Sequence, residues 1–304
     1  MFKKNKMPDD QLDLSVELPA KKQKKSHLTV ILIAIMLVGL AIIIYPSFSN
    51  WWNTKVQTKA VEDYDAVVSS LEETNYSEYF EAAYAYNEAL CELGSADAIV
   101  NPDKLTGYED LLDVTGTGIM GYVTIEKINV TLPIYHGTSS AVLQAGAGHL
   151  EGTSLPVGGE STHCVISAHR GLPSATLFTH LDQLEVGDTF TLTVLNEVLT
   201  YEVDQITIVY PNELENIYTE EGQDYCTLMT CTPYGINTQR LLVRGHRIAT
   251  EEAAKTIKVT AEAYKIDTVI VALCVAVPLI IILFILVSLP RRKKKHHDDQ
   301  GGED

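Results

Sequence analysis

Positive charge is scarce between the two long apolar runs of this 304-residue sequence: residues 46–268 hold 11 Lys and Arg against 32 Asp and Glu. A surface of that sign repels phosphate, which argues against nucleic acid as a partner. Cysteine is scarce too, with five in the chain, one of them (Cys274) inside an apolar run. Four are too few to staple a domain of this size, so the fold must rest on a hydrophobic core. Proline and glycine are missing altogether from 51–93, which removes the usual turn formers and leaves helix. A fixed-period repeat is also lacking, and the only biased tracts are the basic tails.

What is present begins with the apolar runs. Residues 28–45 form 18 positions without a charge and residues 268–289 form 22, each long enough for a hydrocarbon layer of ~30 Å. Lys21, Lys22, Lys24 and Lys25 precede the first run, and Arg291, Arg292, Lys293, Lys294 and Lys295 follow the second. Basic flanks stay in the cytoplasm, so the sequence predicts a two-pass protein of the cell membrane with both termini inside and the middle outside. The first run exceeds the ~7–15 residues of a signal peptide and no small-x-small site follows it, so it reads as an uncleaved anchor. Pro278 interrupts the second run, which a membrane helix tolerates. The resulting plan is a cytoplasmic tail (1–27), a span (28–45), a helical stem (46–115), a β domain (116–250), a linker (251–267), a second span (268–289) and a second tail (290–304).

Within the stem, Val56, Ala60, Tyr64, Val67 and Leu71 recur at helical spacing, as do Tyr79, Ala82, Tyr86, Ala89 and Leu93. Two helices with core-facing stripes follow, broken near Thr74 and Asn75. Residues 94–107 are rich in turn formers and read as a loop. Beyond Gly121 the texture changes to short β-branched or alternating runs, with strands expected at 121–126, 129–135, 163–168, 188–195, 198–209, 225–231 and 240–248. That spacing predicts a barrel or sandwich.

Cys231 ends the alternating run DYCTLMTC and is followed by Thr232-Pro233-Tyr234-Gly235, so it stands at a rim rather than in mid-strand. A lone cysteine is ordinarily an inert small hydrophobe. What raises this one is its company. Arg240 opens the next run after eight residues, and if the two runs pair as consecutive strands, its guanidinium faces Cys231 and can donate to a developing oxyanion. His169 closes a third run, again at a strand end, where an imidazole can move the proton in acyl transfer. His136, His149, His163, His180 and His246 lack that setting and read as structural or surface residues. No cofactor motif is found, and His163, Cys164 and His169 match no common metal-ligand spacing.

The segments TLMTC, TPYGINTQR and LLVRG, with SAHRG and GYVTIEKINVTLPIYHGT upstream, closely resemble the sortases, specifically the pilin-polymerising class C sortases. The resemblance runs from about Tyr79 to Ile248 and extends to the two-anchor layout. It implies an all-β fold: an eight-stranded sortase-type barrel with N-terminal helices and two flanking transmembrane helices. By position it makes Cys231 the nucleophile, His169 the general acid and base, and Arg240 the oxyanion or substrate stabiliser, without cofactor or metal. It further implies cleavage of a Leu-Pro-x-Thr-Gly sorting signal, a thioester at Cys231 and transfer to a lysine amine of a pilin subunit. Peptidoglycan precursor as acceptor is the rival reading. A non-catalytic membrane-tethered β domain, or a protease that uses water, is a further alternative. Membrane lipid surrounds the anchors.

Class C sortases usually carry a lid fixed by an Asp-Pro-aromatic triplet, which this chain lacks. Asp97-Ala98-Ile99 and Asn101-Pro102-Asp103 occupy the corresponding loop. The expectation is a degenerate lid over 97–103, with Asp97 as its acid and Ile99 in place of the aromatic plug. Cys164 and Cys226 each precede an expected active residue by five positions. If the strands lie side by side with their active ends level, the two thiols are level as well, and two buried free thiols are preferred over a disulfide.

Overall fold

The structure, a computed structural model, describes residues 27–250. Two units divide the chain, the first ending at Ile44. The apolar run lies in the first helix, α1 (His27–Ser70), long and apolar enough to cross a membrane, with a mean hydropathy of 2.6 over its most apolar window. The second expected span, 268–289, lies outside the described residues.

From Tyr45 onward α1 is followed by α2 (Glu73–Leu93), with the break at Leu71 and Glu72 rather than at Thr74 and Asn75. The buried stripes are Gln57, Val61, Tyr64 and Val68 on α1 and Ala83, Tyr86, Asn87 and Leu90 on α2. Tyr64 and Tyr86 lie on the expected stripes, but elsewhere the buried positions fall one residue later: Gln57, Val61 and Val68 in place of Val56, Ala60 and Val67, and Ala83 and Leu90 in place of Ala82 and Ala89. Val56 is 52% exposed, because the helix turns a neighbouring stripe inward and buries Gln57, whose amide donates to the Ala145 carbonyl (3.0 Å). Apolar periodicity cannot see a polar residue that is buried because it finds a partner. Tyr64 joins three elements: its hydroxyl donates to the Met120 carbonyl (3.0 Å) and accepts from the Leu195 amide (2.8 Å). Residues 94–107 are not all loop, since α3 (Ser95–Val100) forms there.

Eight strands then close a barrel. They are β1 (Ile119–Ile125), β2 (Val130–His136), β3 (Ala147–His149), β4 (Thr162–Ser167), β5 (Thr189–Val194), β6 (Glu197–Val209), β7 (Asp224–Thr232) and β8 (Gln239–Ile248), with the short helix α4 (Ser140–Ala145) before β3. Their order around the barrel is β1-β2-β3-β4-β7-β8-β6-β5. All neighbours are antiparallel except β2 with β3 and β4 with β7. The three-residue β3 was not foreseen, since Ala147-Gly148-His149 is too short to alternate.

Inward positions fill the barrel: Val123, Ile125, Ile134, Ile166, Phe190, Leu192, Tyr201, Leu228 and Val243 are all at most 1% exposed. The Phe190 and Tyr201 rings stack at 5.6 Å between centroids. Gly245 lets them do so, because a Cβ there would sit 2.9 Å from both the Phe190 ring and Tyr201 Cβ. Cys164 and Cys226 face each other across the β4–β7 ladder, and both are buried free thiols. Burial above all, then the hydrogen bond to Cys164, pushes the Cys226 thiol well up.

His163 is structural, as expected. Its Nδ1 lies 2.9 Å from the Tyr218 carbonyl, to which it donates, and its Nε2 lies 2.7 Å from Thr227 Oγ1, from which it accepts. That pairing suits the neutral ring, and burial lowers its pKa to about 4 from 6.5. The neutral form's contribution is therefore complete above pH 6.5 and lost as the pH falls to about 4. Unfolding free energies in urea should drop by about 3 kcal/mol across that window, at ~1.4 kcal/mol per pH unit. The limb should flatten in His163→Gln; an unchanged slope in the variant would place the acid sensitivity elsewhere.

Candidate active site

Alternation along β7 sends Cys226 and Leu228 into the barrel, so Met229 and Cys231 point outward, and Cys231 is half-buried at the strand end. The β7–β8 register sets Cys231 directly opposite Arg240. In an antiparallel pair, opposed residues share a face. β4 runs parallel to β7 with Ser167 level with Met229. The Ala168 amide extends the ladder to the Met229 carbonyl (3.1 Å), and Thr230 Oγ1 donates to the Ala168 carbonyl (2.8 Å). Two residues further, His169 is level with Cys231 on the same outer face. The cysteine, the histidine and the arginine singled out in the sequence therefore meet at one rim.

Their immediate surroundings fit acyl transfer. Burial lowers the His169 pKa below its usual value, which favours the unprotonated base. Among the described residues its ring makes no hydrogen bond, so both nitrogens are available. The Arg240 guanidinium donates to the backbone carbonyls of Gln239 (3.1 Å) and Asn237 (3.4 Å), which leaves further N–H groups for a bound oxygen. The loop after His169 is held in place by the Phe178 amide on the His169 carbonyl (3.1 Å) and by Asn50 and Asn53 of α1, which bond Thr176 and Ser174.

Below this rim lies an apolar floor that the sequence reading did not name. Val165, Val209 and Leu242 share the outer face with Cys231, yet Val165 is 0% exposed. An outward residue with no exposure must be covered, and the cover is Ile99, Leu150, Leu214 and Ile217, with Met229 beside them. These come from α3 and from the loops before β4 and β7, segments whose composition carries no periodic signal.

The expected lid residues both lie on α3, beside this cover. Ile99 packs into the cluster. Asp97 turns back on its own loop, accepting from Lys104 Nζ (2.5 Å) and Asn101 Nδ2 (2.7 Å), and Lys104 holds its carboxyl below the ordinary range. Two contacts seat the segment. Ser95 Oγ accepts from the Thr219 amide (2.9 Å). The backbone of Ala98 and Ile99 lies against Gly152, where a Cβ would be 2.4 Å from the Ala98 carbonyl oxygen. Gly152 also has φ +85°, a second reason for glycine.

A closed eight-stranded barrel with two parallel pairs, and with Cys, His and Arg at one rim, defines the class. A sortase-domain family model matches residues 123–248. The crystal structure of sortase C1 from Streptococcus agalactiae is 47% identical, covering 64% of this chain and 100% of that one at a TM-score of 0.58. Sortase C of Streptococcus pneumoniae is 47% identical over 63% of this chain and 97% of that one, TM-score 0.58. This chain belongs to the sortase family. Within it, the solved structures it matches so closely are those of class C. Among curated proteins, sortase D of Bacillus subtilis is 31% identical over 131 residues, and sortase A of Streptococcus agalactiae 30% over 137. The matches span 63% and 55% of those two proteins, less than two thirds of their length.

Proposed function

We propose that this chain is a cysteine transpeptidase of pilus assembly, and the observation that carries the reading is the register that sets Cys231 opposite Arg240 at a strand end. His169 takes the proton of the Cys231 thiol as the sulfur attacks the Thr carbonyl of a Leu-Pro-x-Thr-Gly signal, with Arg240 donating to the oxyanion. As the Thr–Gly C–N bond breaks, His169 delivers a proton to the departing amine and a C–S bond remains. A lysine amine of the next pilin subunit then displaces the thiol, so one amide is exchanged for another with the acyl potential kept in the thioester. The apolar floor of Val165, Met229 and Leu242 takes the Leu-Pro end of the signal and excludes water.

Support for a pilin as substrate comes from relatives: the Streptococcus pneumoniae sortase C structure was reported for its pilin substrate specificity. The anchoring suits that role. An N-terminal span and a second span at 268–289, with both tails cytoplasmic, hold the barrel at the outer surface where anchored subunits emerge.

Incubating the protein with a Leu-Pro-x-Thr-Gly peptide and a lysine-bearing pilin should give, by intact mass, a thioester at Cys231 and then a pilin–pilin isopeptide. A thioester discharged only by a peptidoglycan-type amine would assign the chain to wall anchoring instead. No thioester under any condition would end the transpeptidase reading.

Ile99 acts as the plug of a lid over this groove. Its partial burial is worth ~1.5 kcal/mol, so Ile99→Gly should open the lid about tenfold more often and speed iodoacetamide labelling of Cys231 to match. Unchanged labelling, both in that variant and after deletion of 97–103, would show that the segment covers the groove without gating it.

A further inference from the structure

Directly beyond the pair His169 and Cys231, the next residues along the two strand ends are Arg170 and Thr232. Alternation sends them to the other side of the sheet. Arg170 is nine-tenths buried, its side chain 10% exposed, and it touches two separate segments, 232–234 and the turn at Asp182. Its Nη1 donates to Thr232 Oγ1 (3.3 Å), its Nη2 pairs with the Asp182 carboxylate, and its guanidinium lies 6.0 Å from the centre of the Tyr234 ring. The same ring rests on Gly171, where a Cβ would come within 2.9 Å of it.

We propose that Arg170 is a positioning residue, the cross-tie that fixes the loop carrying His169 to the strand end carrying Cys231. The inference rests on the transpeptidase reading above. The backbone ladder between β4 and β7 stops at the Ala168 amide, and the His169 carbonyl is bonded to Phe178 within its own loop. Nothing in the ladder therefore sets the spacing at the level where the chemistry occurs. Thr230 Oγ1 ties the strands one step before the pair, and Arg170 ties them one step after it. The pair is bracketed.

The arginine is not placed for its own satisfaction. Its Nε is buried with no hydrogen-bond partner among the described residues, although a buried N–H ordinarily finds one. A fork that holds Thr232 and Asp182 at once leaves Nε without a partner among the described residues, and only the planar guanidinium can span both acceptors. The outer half of the loop is separately held by Asn50 and Asn53. Arg170 therefore governs the side of the loop that faces the cysteine.

The test compares Arg170→Gln, Arg170→Lys and Thr232→Val in single-turnover thioester formation, alongside melting temperature and the pH profile of Cys231 alkylation by iodoacetamide. Misplacing reacting groups by about 1 Å costs about 100-fold, so Arg170→Gln should acylate about 100-fold more slowly with KM changed less than about threefold. Arg170→Lys, with charge but no fork, should recover less than about a tenth of the loss. The alkylation midpoint should move by about half a pH unit in Arg170→Gln and in Thr232→Val, because the thiol's imidazole neighbour has shifted. Losses in Arg170→Gln and Thr232→Val should not multiply in the double variant.

Multiplicative losses, or a midpoint unmoved while the melting temperature falls, would make Arg170 a structural residue only and overturn the proposal. Should Arg170→Gln fail to fold, Thr232→Val and Asp182→Asn carry the same test from the acceptor side. If the wild type forms no thioester, the transpeptidase reading falls, and the alkylation midpoint alone then decides for or against the tie.

Discussion

Cys231→Ala should abolish the thioester and lower peptide turnover by about 10⁴-fold or more, the scale on which removal of a covalent nucleophile is felt. Position within the fold is the reason. Of the four described cysteines, Cys164 and Cys226 are sealed in the barrel at 2% and 0% exposure, and Cys91 stands on the exposed side of α2. Of these four, Cys231 alone stands opposite a guanidinium at a strand end. The variant should keep its fold, because a half-buried thiol contributes at most about 1 kcal/mol by area. Matching melting curves for wild type and variant, together with the missing adduct in intact mass, would separate loss of chemistry from loss of structure. Residual turnover within tenfold of wild type would mean that the nucleophile has been misassigned.

Arg240→Lys should slow thioester formation by about 10²–10³-fold, as the loss of one oxyanion donor does. The charge survives this substitution but the geometry does not. Arg240 already spends part of its fork on the carbonyls of Asn237 and Gln239 and keeps further N–H groups for a bound oxygen, and an ammonium cannot hold two carbonyls and a third oxygen in one plane. Alkylation of Cys231 by iodoacetamide, which builds no oxyanion, should stay within about twofold of wild type. Acylation within tenfold of wild type in Arg240→Lys would show that the arginine serves binding or structure and not the developing charge.

Much of this arrangement was legible before any coordinates. The step from Cys231 to Arg240 is a local one, across a single hairpin, so strand alternation and a Pro-Gly turn suffice to set the two face to face. His169 was legible by type and by its strand-end setting. Its level with Cys231, however, depends on two strands separated by the whole of β5 and β6, which periodicity does not address. The helical stripes hold at Tyr64 and Tyr86 and are one residue early elsewhere; at Gln57 burial follows a hydrogen bond and not hydrophobicity. β3 was missed since three residues show no alternation. The cover over the groove was seen only at Ile99: Leu150, Leu214 and Ile217 sit in irregular loops, where being buried is decided by where the loop lands. Arg170 stood in plain view beside His169, but a buried arginine is recognisable only once its partners are known.

The parallel pairing of β4 with β7 also orders events in time. Parallel neighbours cannot be joined by a hairpin, and here β5 and β6 lie between them in the chain. Contacts between residues close in sequence form first, and those that must close long loops form late. Cys231 and Arg240 therefore meet with the β7–β8 hairpin, whereas His169 joins them only when β4 pairs with β7. The chain thus carries an unassisted thiol until that long-range pairing is made. Reactivity arrives with the pairing of β4 and β7, not with the hairpin.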